Sequence, residues 1–168
     1  MLVKDLLESL NLDPNIEKTD WIKNKYGQYE MTATVGDTSV KLITLLQTYA
    51  NHDCLHIWFE TMDPQRATFN IFQTNTHSTP PMKIFSVVAN SFTHIIKQMN
   101  PDAVAFYVLG DELTRQSLYM RIAKRFNTAY PNTHTNTNPY GDIVTVLYKD
   151  NIKPNEQEFL TQLIANLD

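Results

Sequence analysis

A single cysteine, Cys54, stands in a chain of 168 residues. One thiol excludes an intrachain disulfide framework and a cysteine-rich zinc site, and it is consistent with a reducing compartment. No apolar run approaches the roughly 20 residues that cross a bilayer as a helix, so no membrane partner is expected. The opening Met1-Leu-Val-Lys-Asp-Leu-Leu-Glu-Ser-Leu10 alternates charge with leucine and reads as an amphipathic helix, not a secretory signal. The net charge of −4 is too mild for a dedicated nucleic-acid binder. Hydrophobic residues at 42% exclude disorder as the default. The length suits one domain, residues 1–168, with a core of its own and a cytoplasmic location.

Along the chain, the spacing of apolar residues predicts a helix over residues 2–10, with Leu2, Leu6, Leu7 and Leu10 on one side. Tyr29 to Val35 alternates as a strand, Gly36-Asp37 turns, and Val40 to Leu46 returns. Leu55 to Glu60 and Thr68 to Thr74 are predicted as third and fourth strands, separated by a turn at Met62-Asp-Pro-Gln-Arg66. Together these make an antiparallel meander. Thr79-Pro80-Pro81 opens a long helix, since proline is tolerated where the first N–H groups have no partner. Ile84, Phe85, Val88, Ala89, Phe92, Ile95, Ile96 and Met99 share one arc of it. Lys83, Ser86, Asn90, His94 and Lys97 share the other, with Val87 the exception.

Ala103 to Leu109 carries no charge, so it is expected as a strand buried on both faces inside a helix-covered sheet. Arg115 to Phe126 follows as a helix. Asn127 to Tyr140 is rich in Asn, Thr and Pro and is expected as a loop; Asp142 to Lys149 is a last strand. A closing helix from Pro154 turns Phe159, Leu160, Leu163, Ile164 and Leu167 inward. The fold class is α/β. A right-handed parallel crossover is expected from Thr68–Thr74 to Ala103–Leu109.

The pair Pro101-Asp102, then Arg115 and Leu118-Tyr119 on the next helix, resembles the GNAT superfamily of acyl-CoA-dependent N-acyltransferases. It is similar in particular to the small GNAT-like proteins of bacteriophages. The similarity spans roughly Tyr29 to Tyr148. It implies a GNAT-like mixed sheet: an antiparallel N-terminal meander, one parallel crossover, flanking helices and an added C-terminal helix. It implies acetyl-CoA as cofactor if the chain is an enzyme, Tyr119 as the acid that protonates the leaving thiolate, and Glu60 or His56 as general base. His77, Ser78, Thr79 and Arg115 would hold the anionic groups of the cofactor. In the family the corresponding loop is glycine-rich, because the pyrophosphate must approach backbone N–H groups closely. Here Asn75-Thr-His-Ser-Thr-Pro-Pro-Met82 has no glycine, and two prolines remove two donors. The resemblance therefore implies a phage-type protein degenerate in CoA binding. Such a protein acts by binding a host or viral partner in the host cell cytoplasm. The alternative is an active N-acyltransferase.

Each of these residues also has a plainer reading. Tyr119 serves as a core tyrosine with its hydroxyl at the rim. Arg115 lies in the arc of Leu118, Tyr119, Ile122, Ala123 and Phe126; it either clamps an anion or snorkels and pairs with Asp111 or Glu112. His52 and His56 fall in or beside a strand, where four residues span about 13 Å, too far for one metal ion. Cys54 lies near both but lacks a third orienting group. Arg121, Lys124 and Arg125 sit where a helix C-terminus favours positive charge. Trp21, Tyr26 and Tyr29 cluster with Lys18, Lys23 and Lys25, as an interaction surface or as a loop pinned to the core.

Overall fold

A computed structural model of the chain describes residues 16–36, 38–63, 68–70, 81–108 and 113–167. Nine strands and three α-helices are present among them. The strands are β1 (Ile16–Lys18), β2 (Ile22–Lys23), β3 (Tyr29–Val35), β4 (Thr38–Tyr49), β5 (His52–Asp63), β6 (Thr68–Asn70), β7 (Ala103–Val108), β8 (Asn132–Thr137) and β9 (Ile143–Tyr148). The helices are α1 (Pro81–Met99), α2 (Leu113–Arg125) and α3 (Glu156–Ala165), the last preceded by a 3-10 turn at Asp150–Asn155. The strands hydrogen-bond in the order β1-β3-β4-β5-β7-β9-β8, with β2 on β3 and β6 on β5. The fold is mixed α/β, as the sequence implies. Among the described residues no helix is long and apolar enough to cross a membrane.

The chain clusters into two compact units, Met1–Thr44 with Trp58–Ile95, and Leu45–Ile57 with Ile96–Asp168. In the first, β3 alternates as its sequence demands: Met31, Ala33 and Val35 are buried and the residues between them are half exposed. It pairs with β4 from Tyr29↔Thr44 to Val35↔Thr38, around Gly36, whose φ of +63° is open to glycine at little cost. Two strands that periodicity missed, β1 and β2, pair antiparallel with β3. At three and two residues they are too short to show a period. On α1 the buried stripe runs through Ile84, Val88, Phe92 and Ile95, and it also takes in Val87 and Ser91. The Val87 exception is thus resolved by a buried face wider than the wheel suggested.

In the second unit the ends of β4 and β5 meet at Ala50-Asn51, both with positive φ (47° and 65°), the two-residue turn that matches strand twist. β5 then runs parallel to β7, from Cys54↔Ala103 to Ile57↔Phe106. β7 pairs antiparallel with β9, and β9 with β8. One face of these strands closes on α3: Cys54, Ala103, Ala105, Val144, Val146 and Tyr148 cluster with Ile152, Phe159 and Leu163. Leu160, Ile164 and Leu167 are only partly buried.

Three expectations are corrected. The parallel crossover does not start from Thr68–Thr74. β6 is antiparallel to β5, and the parallel neighbour of β7 is β5 itself. With β1 added at the front, β5 is the fourth strand of the meander β1-β3-β4-β5. The sequence reading missed β1 and β2 at the start and took β6, rather than β5, as the strand that precedes the crossover. Second, Met62 and Asp63, expected in a turn, continue β5. Third, the expected loop contains β8. Its Asn-Thr-His-Thr-Asn-Thr has no apolar alternation to detect, because it is an edge strand whose one side is half exposed and the other exposed. The helix expected over residues 2–10, the end of the expected strand over 71–74, and Leu109 lie outside the described residues.

Candidate functional site

The two residues assigned to acid–base work fall in different compact units. Glu60 is half-buried on the part of β5 that belongs to the first. Tyr119 is on α2 in the second, 2% exposed, with its ring 5.2 Å from that of Phe106 and tilted by 36°. Arg115 is placed within α2, and its side chain lies outside what is described. His77, Ser78 and Thr79 also lie outside the described residues. Among the described residues no group of three His, Cys, Asp or Glu could hold a metal ion.

His56, the other base considered, belongs to a closed network. Its Nε2 lies 2.9 Å from the Tyr49 hydroxyl. That hydroxyl donates its one proton to Gln47 Oε1, so it accepts from His56 Nε2–H and from Asn166 Nδ2 at 3.0 Å. Asn166 also donates to Gln47 Oε1 at 2.8 Å. Burial pushes the His56 imidazole down from 6.5 to about 4, so it is neutral at neutral pH. Burial likewise drives the Cys54 thiol far upward, which removes the thiolate a nucleophile needs.

His52 ties the turn of β4–β5 to the C-terminal segment. Its Nε2 lies 3.0 Å from Asn155 Oδ1, its Nδ1 3.1 Å from Asp102 Oδ2, and Asn155 Nδ2 donates to the Ala50 carbonyl at 3.0 Å. Burial raises the Asp102 carboxyl. Hydrogen bonds from Asn151 and His52, with the charges of His52 and Lys149, outweigh it and hold Asp102 below its ordinary value. The polar groups around the two histidines are matched to one another, as a latch for α3 requires. The side chains of His52 and Asp102 are 15% and 28% exposed, and both are engaged within the network.

What does point outward is a turn used twice. Asn24-Lys-Tyr-Gly-Gln28 and Asn138-Pro-Tyr-Gly-Asp142 share the spacing Asn-x-Tyr-Gly-x. In each, the asparagine Oδ1 accepts from the backbone N–H of the tyrosine (2.9 Å in both) and of the fifth residue (3.0 and 2.9 Å). Its Nδ2 donates to the fifth side chain, Gln28 Oε1 or Asp142 Oδ2, at 2.9 Å in both. Its carbonyl accepts from the glycine N–H at 3.1 and 3.0 Å, and its own N–H donates to the fifth carbonyl at 2.8 and 2.9 Å. Gly27 and Gly141 have φ of +79° and +84°, which only glycine adopts freely. The result is a rigid tip that satisfies its own backbone and holds one tyrosine into solvent: Tyr26 is 71% exposed and Tyr140 88%. Beside the first tip, Ile22 is also exposed, Lys25 Nζ lies 4.9 Å from the Tyr26 ring centroid, and Lys23 Nζ lies 5.9 Å from that of Tyr29.

The aromatic and lysine cluster read from the sequence therefore splits. Tyr26 is outward, whereas Trp21 leans on Phe92 at 6.4 Å. Tyr140 was hidden within an expected loop. The repeated Asn-x-Tyr-Gly spacing is the signal that would have found it. No family model matches the sequence, and neither the curated proteins nor the solved structures contain a match to it.

Proposed function

We propose that this chain is a GNAT-like domain that acts by binding a protein partner, host or viral, in the cytoplasm of a host cell, rather than by acyl transfer. The observation that carries this reading is the pair of prebuilt turns presenting Tyr26 and Tyr140. Tyrosine on a rigid tip is a favoured interface anchor, because it brings large contact area at small entropic cost. Lys25 beside Tyr26, with Lys23 over the ring of Tyr29, suits a partner surface bearing carboxylates. Burial of Tyr119 against Phe106 supports the same reading, since an acid must reach the leaving group. So does the glycine-free segment 75–82.

A photo-crosslinking residue placed at position 26 or 140 in infected or co-expressing cells tests it. A defined adduct at either position is expected, lost when Lys23 and Lys25 are both changed to Glu in the case of position 26. Absence of any adduct at both positions would remove the reading.

A second reading keeps the enzyme: an acyl-CoA-dependent N-acyltransferase with Tyr119 as acid, Glu60 as base, and His77, Ser78, Thr79 and Arg115 on acetyl-CoA. It draws support only from there being a parallel pair, β5 with β7, flanking α1 in the chain; the crossover out of Thr68–Thr74 that the resemblance implied is absent among the described residues. Calorimetry with acetyl-CoA separates the two. The partner-binding reading expects no heat at millimolar ligand; saturable binding weakened by Arg115→Ala selects the enzyme.

A further inference from the structure

At the end of the strand order, β8 is held by β9 alone among the described residues. The bonds at the two strand ends tell which of its backbone groups face away from β9. Beyond the last registered pair, Thr137↔Ile143, the Asn138 N–H donates to the Asp142 carbonyl at 2.9 Å. At the other end the Lys149 N–H donates to the Asp102 carbonyl on the β7 side, at 3.0 Å, so Tyr148 turns its own groups to β8, opposite Asn132. Backbone direction alternates residue by residue. Asn132, His134 and Asn136 therefore bond β9, whereas Thr133, Thr135 and Thr137 turn their N–H and C=O groups out along the open edge. Those three threonines are also the exposed residues of the strand.

Natural edge strands are blunted by charge, bulges or proline. The β8–β9 register is unbroken by a bulge, and residues 131–139 carry no Asp, Glu, Lys or Arg. Proline stands only at the ends, Pro131 and Pro139, equidistant from Thr135. The whole segment is close to a palindrome: Pro-Asn-Thr-His-Thr-Asn-Thr-Asn-Pro reads the same from either end, except that His134 corresponds to Asn136. A two-fold axis demands such self-complementarity.

We infer that the edge of β8 pairs antiparallel with the same edge of a second copy of this chain, about a two-fold axis through Thr135. Thr135 then faces Thr135 of the second copy, and Thr133 faces its Thr137. Each pair exchanges N–H···O=C bonds and sets threonine side chains next to one another. Moving the axis to His134 or Asn136 sets a threonine opposite a proline, which has no N–H to give. The contact is neutral on both sides, so joining two copies opposes no like charges there. An edge this short buries less than the roughly 1,000 Å² of a lasting interface, so the dimer is a reversible one. The pairing uses the backbone of β8 and does not rest on the tyrosine tips.

Sedimentation velocity of the full-length chain, from low micromolar to near-millimolar concentration, tests it. The mass is expected to rise from 19.4 kDa towards twice that value. Amide exchange at Thr133, Thr135 and Thr137 is expected to slow over the same range. Thr135→Pro removes an N–H that β9 does not use, so Tm is expected to hold while association weakens about tenfold or more. Thr135→Lys and Thr135→Asp keep the backbone and set like charges across the axis. Each alone is expected to stay monomeric, and the two mixed are expected to form a heterodimer. A monomer at every concentration, undiminished association in a folded Thr135→Pro protein, or no heterodimer from the charged pair would each overturn the proposal.

Discussion

His56 shows how a residue suited to catalysis becomes a structural one. Its pKa stands at about 4 against an ordinary 6.5, through burial. Between those values the unfolded chain binds a proton that the folded chain refuses. The contribution of this histidine to stability is therefore whole above pH 6.5, falls as pH drops toward 4, and changes no further below. The full span amounts to at most about 3 kcal/mol. His56→Gln keeps an N–H donor within reach of Tyr49 and removes the titration. Urea unfolding at pH 7 and pH 4.5 is expected to show the wild type losing about 2 kcal/mol more than the variant between the two pH values. Parallel losses would show that His56 is not the acid-sensitive group.

At the scale of elements, the twin Asn-x-Tyr-Gly-x turns carry a clear expectation. Each asparagine side chain accepts two backbone N–H bonds and makes at least one side-chain bond; Asn24 Nδ2 reaches Glu30 as well as Gln28, both at 2.9 Å. Replacing Asn24 or Asn138 with Ala leaves those backbone donors to water. The expected cost is about 1–2 kcal/mol for each, read from thermal or chemical unfolding, with weakened crosslinking at the tyrosine of the same turn. A loss of stability with the crosslink intact would mean that the tips are stabilising devices only. The latch on α3 belongs to this scale too. Gln162 Oε1 accepts from the Ala50 N–H at 2.7 Å, and Tyr148 donates to Glu156, so the helix is held by polar bonds around the buried Phe159 and Leu163.

At the scale of the whole molecule, the order of residues in the two compact units forbids a simple division. The second unit takes Leu45–Ile57 from one part of the chain and Ile96–Asp168 from another. A fragment of residues 96–168 lacks the β5 residues Cys54–Ile57 that pair with β7, and lacks Tyr49 and Cys54 from the apolar cluster. Exposing the paired edge of β7 and opening that cluster removes much of what orders the fragment. It is expected to give a collapsed amide spectrum and no cooperative melt. A dispersed spectrum for the fragment alone would show that α3, β7, β8 and β9 need nothing from the β4–β5 turn.

Local patterning was enough for the sequence to announce α/β class, the long helix from Pro81 to Met99, the alternating strand Tyr29–Val35 and the charge-free strand from Ala103. Each of these carries its own period of burial, and burial of apolar side chains is a property that neighbours along the chain report. Pairing is not. That β5 rather than β6 lies beside β7, that Asn132–Thr137 joins an edge, and that two-residue β2 exists at all were decided by backbone hydrogen bonds to distant strands, which leave no trace in hydropathy. The site followed the same rule. The aromatic cluster at Trp21–Tyr29 was visible as composition. Which ring turned outward, and which strand was left at the edge of the sheet, depended on what the folded chain packed against them.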